Sequence, residues 1–261
     1  MLTYDLGQGA CAFSTERRGG YSEGAYASFN ANAYCGDDER MVRLNRDLLC
    51  EALGLETSRL IIPHQIHGAR VRRIDEAFFM QTDAVKAVTL EGVDAVMTDV
   101  PKVCVSVSTA DCIPILIYDR VHHAVAAVHA GWRSTVLRIP EAVLQAMAGA
   151  YGTRPQDVEA AIGPGISLEA FEVYEAFRTV GFPMGEMARR YPAAGDGSGR
   201  MEKWHLDLWQ ANRGLLEGCG VPSTRIHLAG VCTYLHSERF FSARRLGIRS
   251  GRILNGIFLT D

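Results

Sequence analysis

From Val103 to His129 the chain reads VCVSVSTADCIPILIYDRVHHAVAAVH. Three runs within it, Val103–Ser108, Ile113–Tyr118 and Ala124–His129, are rich in β-branched residues and predict strands. Only short polar breaks separate them, Thr109-Ala110-Asp111 and Asp119–His123. Neighbouring strands joined this tightly are expected to pair antiparallel. Outward from this block, Leu60–Pro63, Arg70–Ile74 and Arg252–Leu259 read as further strands. Asp37–Leu53 has helical spacing, with Met41, Leu44, Leu48 and Leu49 on one face behind an Asp cap. Helices are also expected over Val136–Tyr151, with Pro140 near the first turn, and over Ala170–Val180 and Leu206–Glu217. Strands come in runs and do not alternate strictly with helices, so the predicted class is α+β with mixed, largely antiparallel sheets. No repeat or linker divides the chain. The stretch PAAGDGSG from Pro192 to Gly199 reads as an exposed loop inside one domain spanning 1–261.

Composition narrows the function. The 261 residues are 48% hydrophobic and 22% charged, enough for a sizeable core. The formal net charge of -3 lacks the basic footprint of a nucleic-acid binder. The N-terminus shows no signal-peptide pattern, and no window approaches the ~18 apolar residues of a membrane span. Seven cysteines with no CxxC spacing suit reduced thiols in a cytoplasmic protein.

Three segments place reactive side chains at junctions between elements. His64-Gln65-Ile66-His67-Gly68 carries two histidines, Thr109-Ala110-Asp111-Cys112 an acid and a thiol, and His129-Ala130-Gly131-Trp132-Arg133 a histidine at a strand end. His67, Cys112 and His129 together offer two imidazoles and a thiolate, a donor set that suits zinc and also copper. Three protein ligands leave a fourth position for water or substrate. The same residues also suit a Cys–His nucleophile pair, with Cys112 attacking, His129 as base and Asp111 orienting it. Residue type does not separate the two. Arg17-Arg18-Gly19-Gly20 is a candidate phosphate cradle, and Ile162-Gly163-Pro164-Gly165 a turn whose glycines let backbone approach a ligand.

These segments, in this order, resemble the YfiH/FAMIN family, often labelled laccase-domain or polyphenol oxidase proteins. The resemblance spans nearly the whole chain. It includes Arg17–Gly20, Tyr26–Asn30, Gly36–Asp38, Asn45-Arg46, His64–Gly68, Asp94-Ala95, Thr109–Pro114 and His129–Arg133. It continues through Ile162–Pro164, Leu206–Leu208, Cys232-Thr233, Phe240–Arg245 and Gly251-Arg252. It implies a single α+β domain and zinc held by His67, Cys112 and His129. It implies phosphorolysis of adenosine, inosine and methylthioadenosine, adenosine deamination, and a copper-dependent oxidation behind the oxidase label. Arg17 and Arg18 both precede Gly19-Gly20, and both are candidates for the site. One departure stands out: the glycine usual after HAGWR is Ser134.

Phosphorolysis needs a cation on the phosphate, for which Arg17 or Arg18, and then Arg245, are the candidates. Deamination needs a group that hands a proton to the departing amine, for which Asp111 is the candidate. The expected partners are purine nucleosides and phosphate, with no nucleic acid and no membrane. A copper-dependent polyphenol oxidase is the rival enzyme; with eight histidines and no His-x-His pair the chain does not suit a trinuclear copper cluster, which leaves the His/Cys site as the place for copper. An amide hydrolase built on Cys112, and a binding module with a structural zinc, are the remaining alternatives.

Overall fold

The structure is a computed structural model that describes residues 1–173, 187–192 and 202–260. Within them, one sheet has five strands in the order β1 (Leu2–Tyr4), β2 (Ala10–Ser14), β14 (Ile253–Leu259), β6 (Cys104–Thr109) and β3 (Leu60–Ile61). A second has six, in the order β13 (Ile226–Leu228), β9 (Val158–Ile162), β7 (Ile113–Asp119), β8 (Ala124–Ala130), β5 (Ala95–Thr98) and β4 (Val71–Arg73). A small third sheet joins β10 (Glu172–Val173), β12 (Glu202–Leu206) and β11 (Ala188–Pro192). Pairing is antiparallel except at three sheet margins, β3–β6, β4–β5 and β9–β13. The predicted class therefore holds: the molecule is α+β with largely antiparallel sheets.

The two large sheets stack face to face. Val105, Val107 and Ile257 from the first pack with Leu116, Tyr118, Val125 and Ala127 from the second. The second sheet's other face buries Ile113, Ile115, Ile117, Ala126 and Val128 under α5 (Ile139–Tyr151) and α6 (Leu208–Gly218). The first sheet's outer face packs Phe13, Leu254 and Phe258 against Leu49 of α1 (Glu39–Leu53). A strand buried on both faces has no polar side, which is why β7 reads as an unbroken apolar run.

Several sequence expectations change. β6 and β7 follow one another closely but do not pair: β6 lies between β14 and β3, and β7 between β8 and β9. The short link at Ala110–Cys112 is thus a step from one sheet to the other, with Asp111 at φ 86°. Only β7 and β8 form the expected hairpin. In α1 the Asp38 carboxylate caps the helix by accepting from the Arg40 N–H. Its buried stripe, however, is Val42, Asn45, Leu49 and Cys50, whereas Leu44 is exposed. The helix is turned because Asn45 is drawn inward to donate to Ser22 Oγ and to the Asn30 carbonyl. Predicted helix Val136–Tyr151 begins later, at Ile139, after a separate turn α4 (Trp132–Val136) that runs through Ser134. The expected Ala170–Val180 helix does not begin as one: Glu172–Val173 form β10, and residues 174–180, like 193–199 of the expected loop, lie outside the described residues. No helix among the described residues is long and apolar enough to cross a membrane.

Candidate metal centre

Strand register builds the site. β3 and β6 run parallel, so the chain leaves both at the same end of the first sheet. From β3 it crosses through residues 62–70 into β4, and from β6 through 110–112 into β7. In the second sheet Val71 pairs with Ala95, Ala95 with Val128, and Pro114 with His129. The starts of β4, β5 and β7 and the end of β8 therefore meet at one edge. That edge carries His67, Asp94, Cys112 and His129.

The metal-capable atoms of His67, Cys112 and His129 all lie within 4.8 Å of one another. The His67 and His129 rings meet edge to face, with centroids 4.8 Å apart. Their surroundings grade from exposed at His67 through half-buried at Cys112 to buried at His129. Close approach has a backbone requirement. A Cβ on Gly131 would stand 3.0 Å from Cys112 Sγ and 3.0 Å from His67 Cδ2. The glycine of HAGWR is there for space.

Asp94, fully buried at the start of β5, organises the cluster. Its carboxylate accepts from the backbone N–H groups of Ile66, His67 and Gly68, at 3.3, 2.9 and 2.7 Å. The same carboxylate lies 2.8 Å from His129 Nδ1. Those bonds fix the His67 loop, where His67 adopts φ 62°, and they leave His129 Nε2 for the cluster. Burial opposes charge on Asp94, but the bonds from His129 and the loop N–H groups outweigh it and hold the carboxyl below its usual range. Burial likewise opposes a thiolate at Cys112, yet the flanking His129 and His67 pull its pKa down to about 6. Against its own burial, the Cys112 thiolate and Asp94 push His129 up to about 9.

The donor set fits a metal: two imidazoles and a thiol inclined to ionise, with a carboxylate behind one imidazole. Cys112, His129 and Asp94 also line up as nucleophile, base and orienting acid, in which case the orienting acid is Asp94 and not Asp111.

The cluster forms one wall of a cleft of about 220 Å³, lined also by Asn32, Tyr34, Cys35, His64, Ser108, Ile248 and Arg252. The other sequence candidates lie elsewhere. Asp111 is buried with its carboxylate accepting from Thr233 Oγ1 at 2.7 Å and the Arg244 N–H at 2.6 Å, and it does not line the cleft. Arg17 donates through Nε to the Ala27 carbonyl and through Nη1 to that of Ser237, both at 2.8 Å, while lying over the Phe241 ring. Gly20 packs closely on the protein itself, since a Cβ there would meet the Ser28 carbonyl at 2.4 Å. Arg18 is exposed beside α1 residues Leu48 and Leu49. Arg245 bonds and stacks on Tyr234 outside the cleft. Gly163 and Gly165 make room for Pro114, Tyr4 and Ile113, protein neighbours and not a ligand.

Sequence reading passed over Asp94 as a site residue. Its signal was an acid standing directly before the apolar run Ala95-Val96-Met97, where burial is forced and partners must follow. It also passed over Arg252 as the cation of the cleft, although that residue opens the last strand.

Residues 11–260 match the family model described as multi-copper polyphenol oxidoreductase laccase. The chain is 47% identical over 251 residues to a purine nucleoside phosphorylase of Bacteroides thetaiotaomicron, covering 95% of this chain and 90% of that one. It is 40% identical over 255 residues to "Adenosine deaminase RL5" of an unknown prokaryotic organism, covering 96% and 94%. Among solved structures, YlmD from Geobacillus stearothermophilus superposes with a TM-score of 0.86 at 30% identity, covering 99% of this chain and 94% of that one.

Proposed function

The chain belongs to the family described as multi-copper polyphenol oxidoreductase laccase, and from that premise we propose that it is a zinc-dependent enzyme of purine nucleosides. In this reading it splits adenosine, inosine and methylthioadenosine with phosphate, giving free base and ribose 1-phosphate, and it also deaminates adenosine. The carrying observation is the convergence of His67, Cys112 and His129 within 4.8 Å on the wall of an open cleft. The names borne by the similar proteins from Bacteroides thetaiotaomicron and the unknown prokaryote support the substrate class.

His67, Cys112 and His129 would hold the zinc. Bound there, it would supply Lewis-acid charge and an acidified water near neutral pH. The protein's part is positional. Asp94 holds the His129 ring and the His67 loop, which orients two of the three donors. Phosphorolysis forms a bond from a phosphate oxygen to C1′ and breaks the glycosidic bond, whose electrons leave with the base. The attacking anion needs a fixed cation, and that role passes in our reading from Arg17 and Arg245 to Arg252. Arg252 lines the cleft, and its guanidinium is held in place by the carbonyls of Ile248, Ser250 and Gly251. Asp111, with its carboxylate already bonded to Thr233 and Arg244, is not the proton donor of deamination in this reading.

The test is adenosine incubated with zinc-loaded protein, with and without phosphate, beside Cys112→Ala. Adenine formed only with phosphate is the expected result, with inosine marking deamination, and both vanish in the variant. Absence of both products from the wild type overturns the reading. Two alternatives rest on specific observations. The family's description favours oxidation of phenols with copper in the same site, since copper outcompetes zinc on affinity. Dye oxidation that survived strict copper removal would contradict the copper assignment. The Cys112–His129–Asp94 alignment favours an amide hydrolase, which predicts alkylation of Cys112 by iodoacetamide in the metal-loaded protein.

A further inference from the structure

The cleft has a second wall that the metal cluster does not use. Tyr34 stacks on His64 with ring centroids 4.4 Å apart and planes 21° from parallel. His64 is itself held. Its Nδ1 lies 2.9 Å from both carboxylate oxygens of Glu91. Its backbone is bonded on both sides, donating to the Leu90 carbonyl and accepting from the Val93 N–H. Behind Tyr34, its N–H donates to Asn32 Oδ1 at 2.6 Å. The Cys35 carbonyl accepts from Tyr26 Oη, and Asn30, fully buried, bonds the Asn32 carbonyl and Asp37. Arg252, the cation of the cleft, donates its backbone N–H to that same Asn30 through Oδ1.

Together these bonds, the Asn30–Asn32 one buried, fix a loop whose tip keeps its apolar side chain in the open. Tyr34 is 51% exposed and belongs to none of the apolar core clusters. Ile248, 79% exposed, lines the same cleft. An aromatic ring held rigid at low entropic cost, backed by a second ring and facing a cleft, is suited to a planar heteroaromatic ligand, since every base has a π face.

We propose that the Tyr34–His64 pair is the subsite for the planar base of the nucleoside, with Glu91 as the positioning residue that holds His64 flat beneath Tyr34. This rests on the nucleoside reading above. It assigns recognition of the base to stacking, on the wall opposite in role to the metal cluster. It predicts tolerance among purines, because stacking does not read exocyclic groups.

The experiment measures adenine and ribose 1-phosphate binding to zinc-loaded protein by calorimetry, with adenosine kinetics alongside. Tyr34→Ala is expected to weaken adenine and raise the adenosine KM by roughly tenfold to a hundredfold, with kcat within about threefold. Ribose 1-phosphate, which has no base, should bind unchanged. Tyr34→Phe should restore wild-type behaviour, and Tyr34→Leu, apolar but without a π face, should not. Glu91→Gln should cost adenine roughly threefold. Adenine affinity unmoved by Tyr34→Ala in an active enzyme overturns the platform alone. So does equal weakening of adenine and ribose 1-phosphate, which would mark general distortion. A wild type inert toward every nucleoside overturns the nucleoside reading and the platform with it.

Discussion

Two buried aspartates stand at the same end of the sheets and face opposite duties. Asp94 directly precedes β5, and its carboxylate gathers the His67 loop and the His129 ring. Asp111 adjoins Cys112 in sequence, yet its carboxylate points to Thr233 and the Arg244 backbone, tying the corner between the sheets to the C-terminal segment. Its own carbonyl accepts from the Ile166 N–H, a third tie of the same kind. Adjacency in sequence to a ligand therefore says less than register across a sheet. Residue 94 is 18 positions from Cys112 but shares the edge where His67, Cys112 and His129 meet.

The sharpest way to break this contrast is Asp94→Asn. The amide presents one oxygen where the carboxylate presented two, and it cannot satisfy three backbone N–H groups and the His129 ring together. Zinc affinity, read by chelator competition, is expected to fall about tenfold to a hundredfold. Stability in urea should drop by about 3 kcal/mol, the scale of losing charge-assisted hydrogen bonds in a buried place. Zinc affinity within twofold of wild type would show that the carboxylate does not orient the donors.

Asp111→Asn sharpens the contrast from the other side. An amide there can accept from one of its two donors but must turn an NH2 toward the other, so stability should fall by about 2 kcal/mol. Zinc affinity and the kcat for adenosine should stay within about threefold. A hundredfold loss of kcat at intact zinc affinity would return Asp111 to the role of proton donor.

The same contrast explains what was legible beforehand. The strands of the 103–129 block and the α+β class follow from residue pattern, because burial on both faces writes an apolar run directly into sequence. The convergence of His67, Cys112 and His129 does not follow from it. Their spacing is long, and the site depends on which strands become neighbours. The tight Ala110–Cys112 link looked like a hairpin and is a crossing between sheets. Link length alone does not distinguish a turn within a sheet from a step between two. Asp94 escaped notice because a buried acid announces only that it has partners and not which ones.

The smallest expected effect is at Arg17, where sequence and structure disagree about what a guanidinium is for. A motif of two arginines and two glycines resembles an anion cradle. Here the planar fork instead spans two chain segments, donating to Ala27 in the N-terminal loop and Ser237 near the C-terminal end, with its face on Phe241. That geometry uses the shape of arginine more than its charge. Arg17→Ala should therefore lower stability by about 1 kcal/mol, with the phosphate KM within twofold. Arg17→Lys should rescue little of the stability, because an ammonium cannot span both carbonyls with one plane. Arg252→Ala is the control: its loss should raise the phosphate KM more than tenfold if the cleft cation holds the phosphate. Should Arg17→Ala raise the phosphate KM while Arg252→Ala leaves it alone, the two arginines exchange roles and the loop carrying Arg17 must move to meet its substrate.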